Sequence, residues 1–156
     1  MKPSLYMETT IPSYLAAWPS RDLIVAAHQQ LTHDWWQRRR GAFRLYVSQL
    51  VLDECGLGDR DAASRRLALL KGVPLVPADD EVFNLADQFV GQGCIPVAAR
   101  ADAVHLALAT VNEMEYFLTW NCVHLNNAQI VEQVRAICVV QGYGCPVICT
   151  PEELMG

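Results

Sequence analysis

The chain has 156 residues, 52% of them hydrophobic and 19% charged, with 17 acids against 12 bases and a net charge of −5. That apolar content excludes a disordered chain, and the length suits one domain, residues 1–156, able to bury a real core. The negative balance excludes nucleic-acid binding through overall field strength; a local basic patch, or metal ions in an acidic pocket, would have to supply the attraction.

Nothing in the chain reads as a membrane span, and Met1-Lys2-Pro3 leads into a strand-like run with no signal-peptide apolar segment. The six cysteines (Cys55, Cys94, Cys122, Cys138, Cys145 and Cys149) include no Cys-x-x-Cys pair, and Cys145-x-x-x-Cys149 lacks the second pair of a zinc ribbon. The expectation is a cytoplasmic protein with reduced, mostly buried thiols; a disulfide framework is unnecessary in a chain with this much core.

In chain order, the first β-type run is Ser4–Met7. A helix follows. Ser20 is its expected N-cap, Asp22 lies in its first turn, and Leu23, Ala27, Leu31 and Trp35 recur on one apolar face. Arg38, Arg39 and Arg40 suit its C-terminal dipole, and Gly41 suits the C′ position. The second and third β-type runs are Arg44–Ser48 and Val73–Val76. Asp79 caps a helix with Val82, Leu85, Ala86 and Phe89 inward, and the loop at Gly91-Gln92-Gly93 reads as a flexible connection. Pro96 or Ala98 opens the helix carrying Asp102. Glu115–Thr119 is the fourth run, Ala128 to about Gln141 is a last amphipathic helix ended by Gly142, and Val147–Cys149 is the fifth run. Strands separated by helices imply βαβ units and a mainly parallel five-stranded sheet in an α/β fold.

Four polar residues stand at the borders of these apolar runs. Glu8 follows the first strand, Glu54 is read as starting a helix after the second, Asp102 lies near a helix N-terminus, and Asn121 follows the fourth strand. A carboxylate at the edge of a core is costly unless something pairs with it. Oxygen ligands gathered beyond strand C-termini, where strand order reverses, make a site for a divalent cation such as Mg²⁺. Taken singly, each has a plainer role: Glu8 as a loop acceptor, Glu54 as a first-turn acid competing with Asp53, and Asn121 as a turn cap. His105, one helical turn after Asp102, reads as a satisfied core residue or a partner of the acids. His124 reads as a loop residue or one that approaches substrate. Cys55, beside Glu54, reads as structural. Trp35, Trp36 and Arg38–Arg40 combine aromatic and basic groups that can grip RNA, face a partner helix, or serve only as core and solvated charge.

The run Tyr6-Met7-Glu8-Thr9-Thr10-Ile11-Pro12-Ser13-Tyr14-Leu15 resembles the opening of PIN-domain proteins, especially VapC-like toxins. Val51-Leu52-Asp53-Glu54, the run from Ala101 to Ala109 and the run from Phe117 to Asn126 resemble the later motifs, in order. The resemblance implies a three-layer α/β/α sandwich and Mg²⁺- or Mn²⁺-dependent cleavage of RNA, with Glu8, Glu54, Asp102 and Asn121 in the four acidic positions. It also implies a small antitoxin partner and a homodimer. Thr9 and Thr119 read as contacts to phosphate or to the ligand residues, or simply as helix or strand caps. Two positions depart from the family pattern, which commonly has Asp where this chain has Glu8 and Asn121. The amide adds no charge, which leaves open a PIN-like binding module with weak or lost catalysis. A phospho-acceptor receiver-like domain fits poorly, because the only lysines are Lys2 and Lys71 and the first-strand acid is Glu8.

Overall fold

The computed structural model describes residues Met1 to Gly156. In chain order its elements are β1 (Ser4–Met7), α1 (Thr10–Ala16), α2 (Leu23–Arg38), β2 (Arg44–Tyr46), α3 (Gln49–Cys55), α4 (Arg60–Leu69), α5 (Asp80–Gly91), α6 (Arg100–Val111), β3 (Tyr116–Leu118), α7 (Ala128–Gln141) and β4 (Val147–Cys149). The fold is α/β, with a parallel four-stranded sheet in the order β2-β1-β3-β4.

The expected fifth strand is a correction. The Val73–Val76 run makes one parallel bridge, Leu75 to Val47, and no more. Pro74 has no N–H to give, and Pro77 follows Val76, so only two residues between them can donate to a ladder. The bridge uses what remains: Val47 N–H donates to Pro74 O at 3.1 Å and Val76 N–H to Val47 O at 2.8 Å.

Strand β1 is buried along its whole length. Successive side chains of a strand point to opposite faces, so both faces of β1 are covered, as its unbroken apolar run requires. The core is one contiguous cluster of 32 buried residues drawn from strands and helices alike.

Helix α5 is capped by Asp79, whose Oδ1 accepts from Val82 N–H at 3.2 Å, and it buries Val82, Leu85, Ala86 and Phe89 as its periodicity predicts. Helix α7 ends at Gly142, which takes the left-handed conformation (φ 82°) that its C′ position favours. Helix α6 opens later than expected: a 3-10 turn at Val97–Ala99 comes first, after Pro96.

Helix α2 departs from its expected face. Asp22, not Ser20, is the N-cap, and its Oδ1 accepts from Val25 N–H at 2.9 Å. Leu23 is 86% exposed, while Gln29, Thr32 and Trp35 are buried. Specific partners make the polar inward residues affordable. Thr32 Oγ1 accepts from Trp120 Nε1–H at 2.7 Å and donates to His28 O, and Gln29 bonds Ser20 N–H and Trp18 O. Gly41 is not a C′ residue either, because the helix stops at Arg38 and a 3-10 turn runs through Arg40–Ala42.

All six cysteines are free thiols; Cys55, Cys94, Cys138 and Cys149 are buried and Cys122 is exposed. Burial pushes the Cys55 thiol up to about 11, with Arg66 opposing it and Glu54 and Glu8 adding to it, so it stays protonated and structural. No helix is long and apolar enough to cross a membrane.

Candidate functional site

Strand order reverses between β1 and β3, which lie side by side with Met7 opposite Leu118. The crevice beyond their C-terminal ends is where parallel α/β sheets place ligands. Glu8 leaves β1 at that point, and its N–H donates to Leu118 O at 3.0 Å. The residue is 4% exposed. Its Oε1 accepts from Thr10 Oγ1 (2.6 Å), Thr10 N–H (3.2 Å) and Thr119 Oγ1 (2.7 Å). Three donors on one oxygen offset the cost of burying the carboxylate. Thr119 and Thr10 are fixed in turn, because their hydroxyl oxygens accept from Asn121 N–H and Trp120 N–H, both at 2.9 Å.

Glu54 is not where its sequence position suggested. It is the penultimate residue of α3, which is capped at its other end by Ser48, so it stands in the last turn rather than the first. The helix dipole disfavours an anion there. Two donors on Oε1 compensate: Thr9 Oγ1 at 2.6 Å and His105 Nε2 at 2.5 Å. Burial pushes the Glu54 carboxyl upward, but the hydrogen bonds it accepts from His105 and Thr9 hold it below the usual carboxylate value. The neighbouring Asp53 takes no part; it is exposed and accepts from Gln49 Nε2.

His105 is 1% exposed and is bonded on both sides of its ring. Its Nδ1 lies 2.8 Å from Tyr6 Oη, which lies 2.8 Å from Ser48 Oγ. Assigning the neutral Nε2–H tautomer satisfies the whole chain, with Ser48 donating to Tyr6, Tyr6 to His105 and His105 to Glu54. Burial, and then the charges of Glu8 and Glu54, hold Tyr6 well above the usual phenol range despite an opposing hydrogen bond from Ser48, so Tyr6 remains a donor. The sequence does not distinguish a core role for His105 from that of a partner of the acids, and nothing in it singles out Tyr6, Ser48 or Thr10. A histidine inside an apolar run, one helical turn from Asp102, is the available signal.

Asp102 lies in the first turn of α6, where the dipole suits an acid, and its Oδ2 lies 3.1 Å from His124 Nδ1. Asn121 Oδ1 accepts from His124 N–H (2.9 Å) and Val123 N–H (3.2 Å). The amide oxygen expected to meet a metal accepts two backbone N–H bonds within the turn that carries His124 to Asp102.

The four residues are joined by one continuous path. Glu8 adjoins Thr9, Thr9 bonds Glu54, Glu54 bonds His105 on the helix of Asp102, and Asp102 bonds the His124 turn held by Asn121. Each carboxylate is anchored through a single oxygen: Glu8 and Glu54 by Oε1 and Asp102 by Oδ2. The other three oxygens make no hydrogen bond within the protein. No three acid, histidine or cysteine side chains close on a common point as a ready-made cage. Mg²⁺ commonly uses only one or two carboxylates and keeps several waters, so the donor set fits a hydrated ion rather than an all-protein site. The largest groove, about 490 Å³ and lined by Asp53, Leu75, Phe83 and Val104 among others, includes none of these four residues.

No family model matches the chain, and no curated protein matches it.

Proposed function

We propose that the protein is a divalent-metal-dependent endoribonuclease with a PIN-like three-layer α/β/α architecture. One observation carries this reading: three carboxylates at the C-terminal ends of adjacent parallel strands and their flanking helices, each held by one oxygen and offering the other. Glu8, Glu54 and Asp102 would hold Mg²⁺ or Mn²⁺. Such an ion polarises a phosphoryl oxygen and makes a bound water more acidic.

The chain's own residues do the rest. Thr10 and Thr119 fix Glu8, and Thr9 and His105 fix Glu54, so the carboxylates need little reorganisation when RNA arrives. Tyr6 and Ser48 hold the His105 ring in one tautomer. His124, 35% exposed at its side chain and bonded to Asp102, is placed to contact the substrate. Asn121 keeps that histidine in place. Thr9 and Thr119 act here by positioning Glu54 and Glu8. The same PIN-like reading makes the protein the toxin of a type II toxin–antitoxin pair, with a small antitoxin and a homodimeric assembly.

Purified protein incubated with varied RNAs and Mn²⁺ or Mg²⁺ tests this. Cleavage that stops with a chelator and with Asp102→Asn is expected; cleavage retained in a clean Asp102→Asn preparation rejects the assignment. The second reading, a catalytically silent PIN-like binding module, draws on the commitment of Asn121 Oδ1 to its turn. It predicts RNA or protein binding with no metal-dependent cleavage of any RNA.

A further inference from the structure

We infer that the end of the sheet opposite the carboxylates is a separate surface that grips the phosphate backbone of RNA. In a parallel sheet all strand N-termini lie at one end, and here that end collects the cations. Lys2 precedes β1, Arg44 begins β2 opposite Ser4, Arg38 ends the helix that feeds β2, and Arg39 and Arg40 follow it. Lys71 lies in the turn leading to the Leu75 bridge. These are six of the chain's twelve basic residues, including both lysines, in a protein whose net charge is −5.

None of the six forms an ion pair. The partners they have are neutral. Arg44 Nε–H donates to Lys2 O at 2.9 Å, Arg39 Nε–H donates to Leu154 O at 3.2 Å, and the Arg40 guanidinium sits 4.3 Å over the Trp36 ring. All but Arg39 are exposed. Acids also lie near this end: Glu113 and Glu115, from the α6–β3 connection, with Glu115 Oε1 accepting from Ser4 N–H at 3.3 Å, and Asp34, one helical turn before Arg38 and bonded to Gln30. The six basic residues outnumber these acids.

Arginines without ion-pair partners, one of them held against the half-buried Trp36, suit phosphates. The opposite end of the molecule is acidic and repels a polyanion until a cation is bound. A strand of four residues separates the two ends by roughly 13 Å before side chains are counted. Only an RNA of more than a few nucleotides touches both, so the substrate class is an extended or folded RNA rather than a di- or trinucleotide. The choice of RNA over other polyanions rests on the nuclease reading.

The test is fluorescence anisotropy in excess chelator, using a labelled single-stranded RNA of about twenty nucleotides across a salt series. Arg38→Gln/Arg40→Gln/Arg44→Gln is compared with Arg21→Gln/Arg60→Gln/Arg135→Gln, which removes the same charge elsewhere on the exposed surface. The first variant should lose about tenfold or more in affinity and flatten the log–log salt slope by about 2, while the second stays within about twofold of the parent. Thermal melts confirm that both fold. Equal losses in the two variants, no loss in the first, or a parent protein that binds anionic-lipid vesicles but not RNA overturns the inference. Because binding is read without metal, absent cleavage with intact, variant-sensitive binding would overturn the nuclease reading alone.

Discussion

His105 Nε2 lies 2.5 Å from Glu54 Oε1, and the two residues are 51 positions apart in the chain. The histidine is sealed in the core while the carboxylate reaches the crevice, so the core reaches the candidate site through one ring. Removing that ring strands two partners at once, the Tyr6 hydroxyl and the Glu54 carboxylate.

His105→Ala should therefore destabilise the fold by about 2–4 kcal/mol, more than a cavity of its size alone, because buried polar groups lose their partners. Tyr6→Phe, which removes one hydroxyl and keeps the ring stacked on Phe117, should cost about 1–2 kcal/mol. Urea unfolding measures both. If His105 positions Glu54, His105→Gln should restore part of the cleavage lost in His105→Ala, and equal activity in the two variants would contradict that role.

Glu54 predicts a pH signature. Its carboxyl is held below the usual value of 4.5 in the folded protein, so the unfolded chain binds its proton more tightly. Its stabilising contribution is complete above that ordinary value and is lost as pH falls through the lower folded one. The stability difference between the parent and Glu54→Gln should be constant above about pH 6 and shrink steadily toward acid. A difference that grew on acidification would have the wrong sign.

Asn121 separates a turn cap from a ligand. Asn121→Asp keeps an acceptor for His124 N–H and Val123 N–H and should melt close to the parent. Asn121→Ala loses both bonds and should cost about 1 kcal/mol, with weaker RNA cleavage as His124 leaves Asp102. Thermal unfolding and cleavage assays on the same preparations check this.

Gly142 offers a fold-level check. Its φ of 82° is strained for any residue with a Cβ, although a Cβ there would meet no atom within 4 Å. Gly142→Ala should cost about 1 kcal/mol from backbone strain alone, with RNA cleavage unchanged.

What could be read from the chain divides along physical lines. Helices α5 and α7 were legible because their inward residues are apolar, regularly spaced, and bounded by Asp79 and Gly142. Glu8 and Asp102 were legible because acids at element ends break apolar runs. Helix α2 misled because its inward Gln29 and Thr32 are satisfied by Trp18, Ser20 and Trp120, partners that no periodicity reveals. Val73–Val76 misled because two prolines leave a β-type run too few donors. The Ser48–Tyr6–His105–Glu54 chain was illegible because each link joins residues at least 42 positions apart.

The central claim is that Glu8, Glu54 and Asp102 share one cation in a single crevice. Anomalous diffraction from a crystal of the protein soaked in Mn²⁺ tests it most directly. The account predicts a manganese peak among the free oxygens of these three carboxylates, absent in Asp102→Asn. A peak elsewhere on the molecule, or none at saturating Mn²⁺, would contradict it.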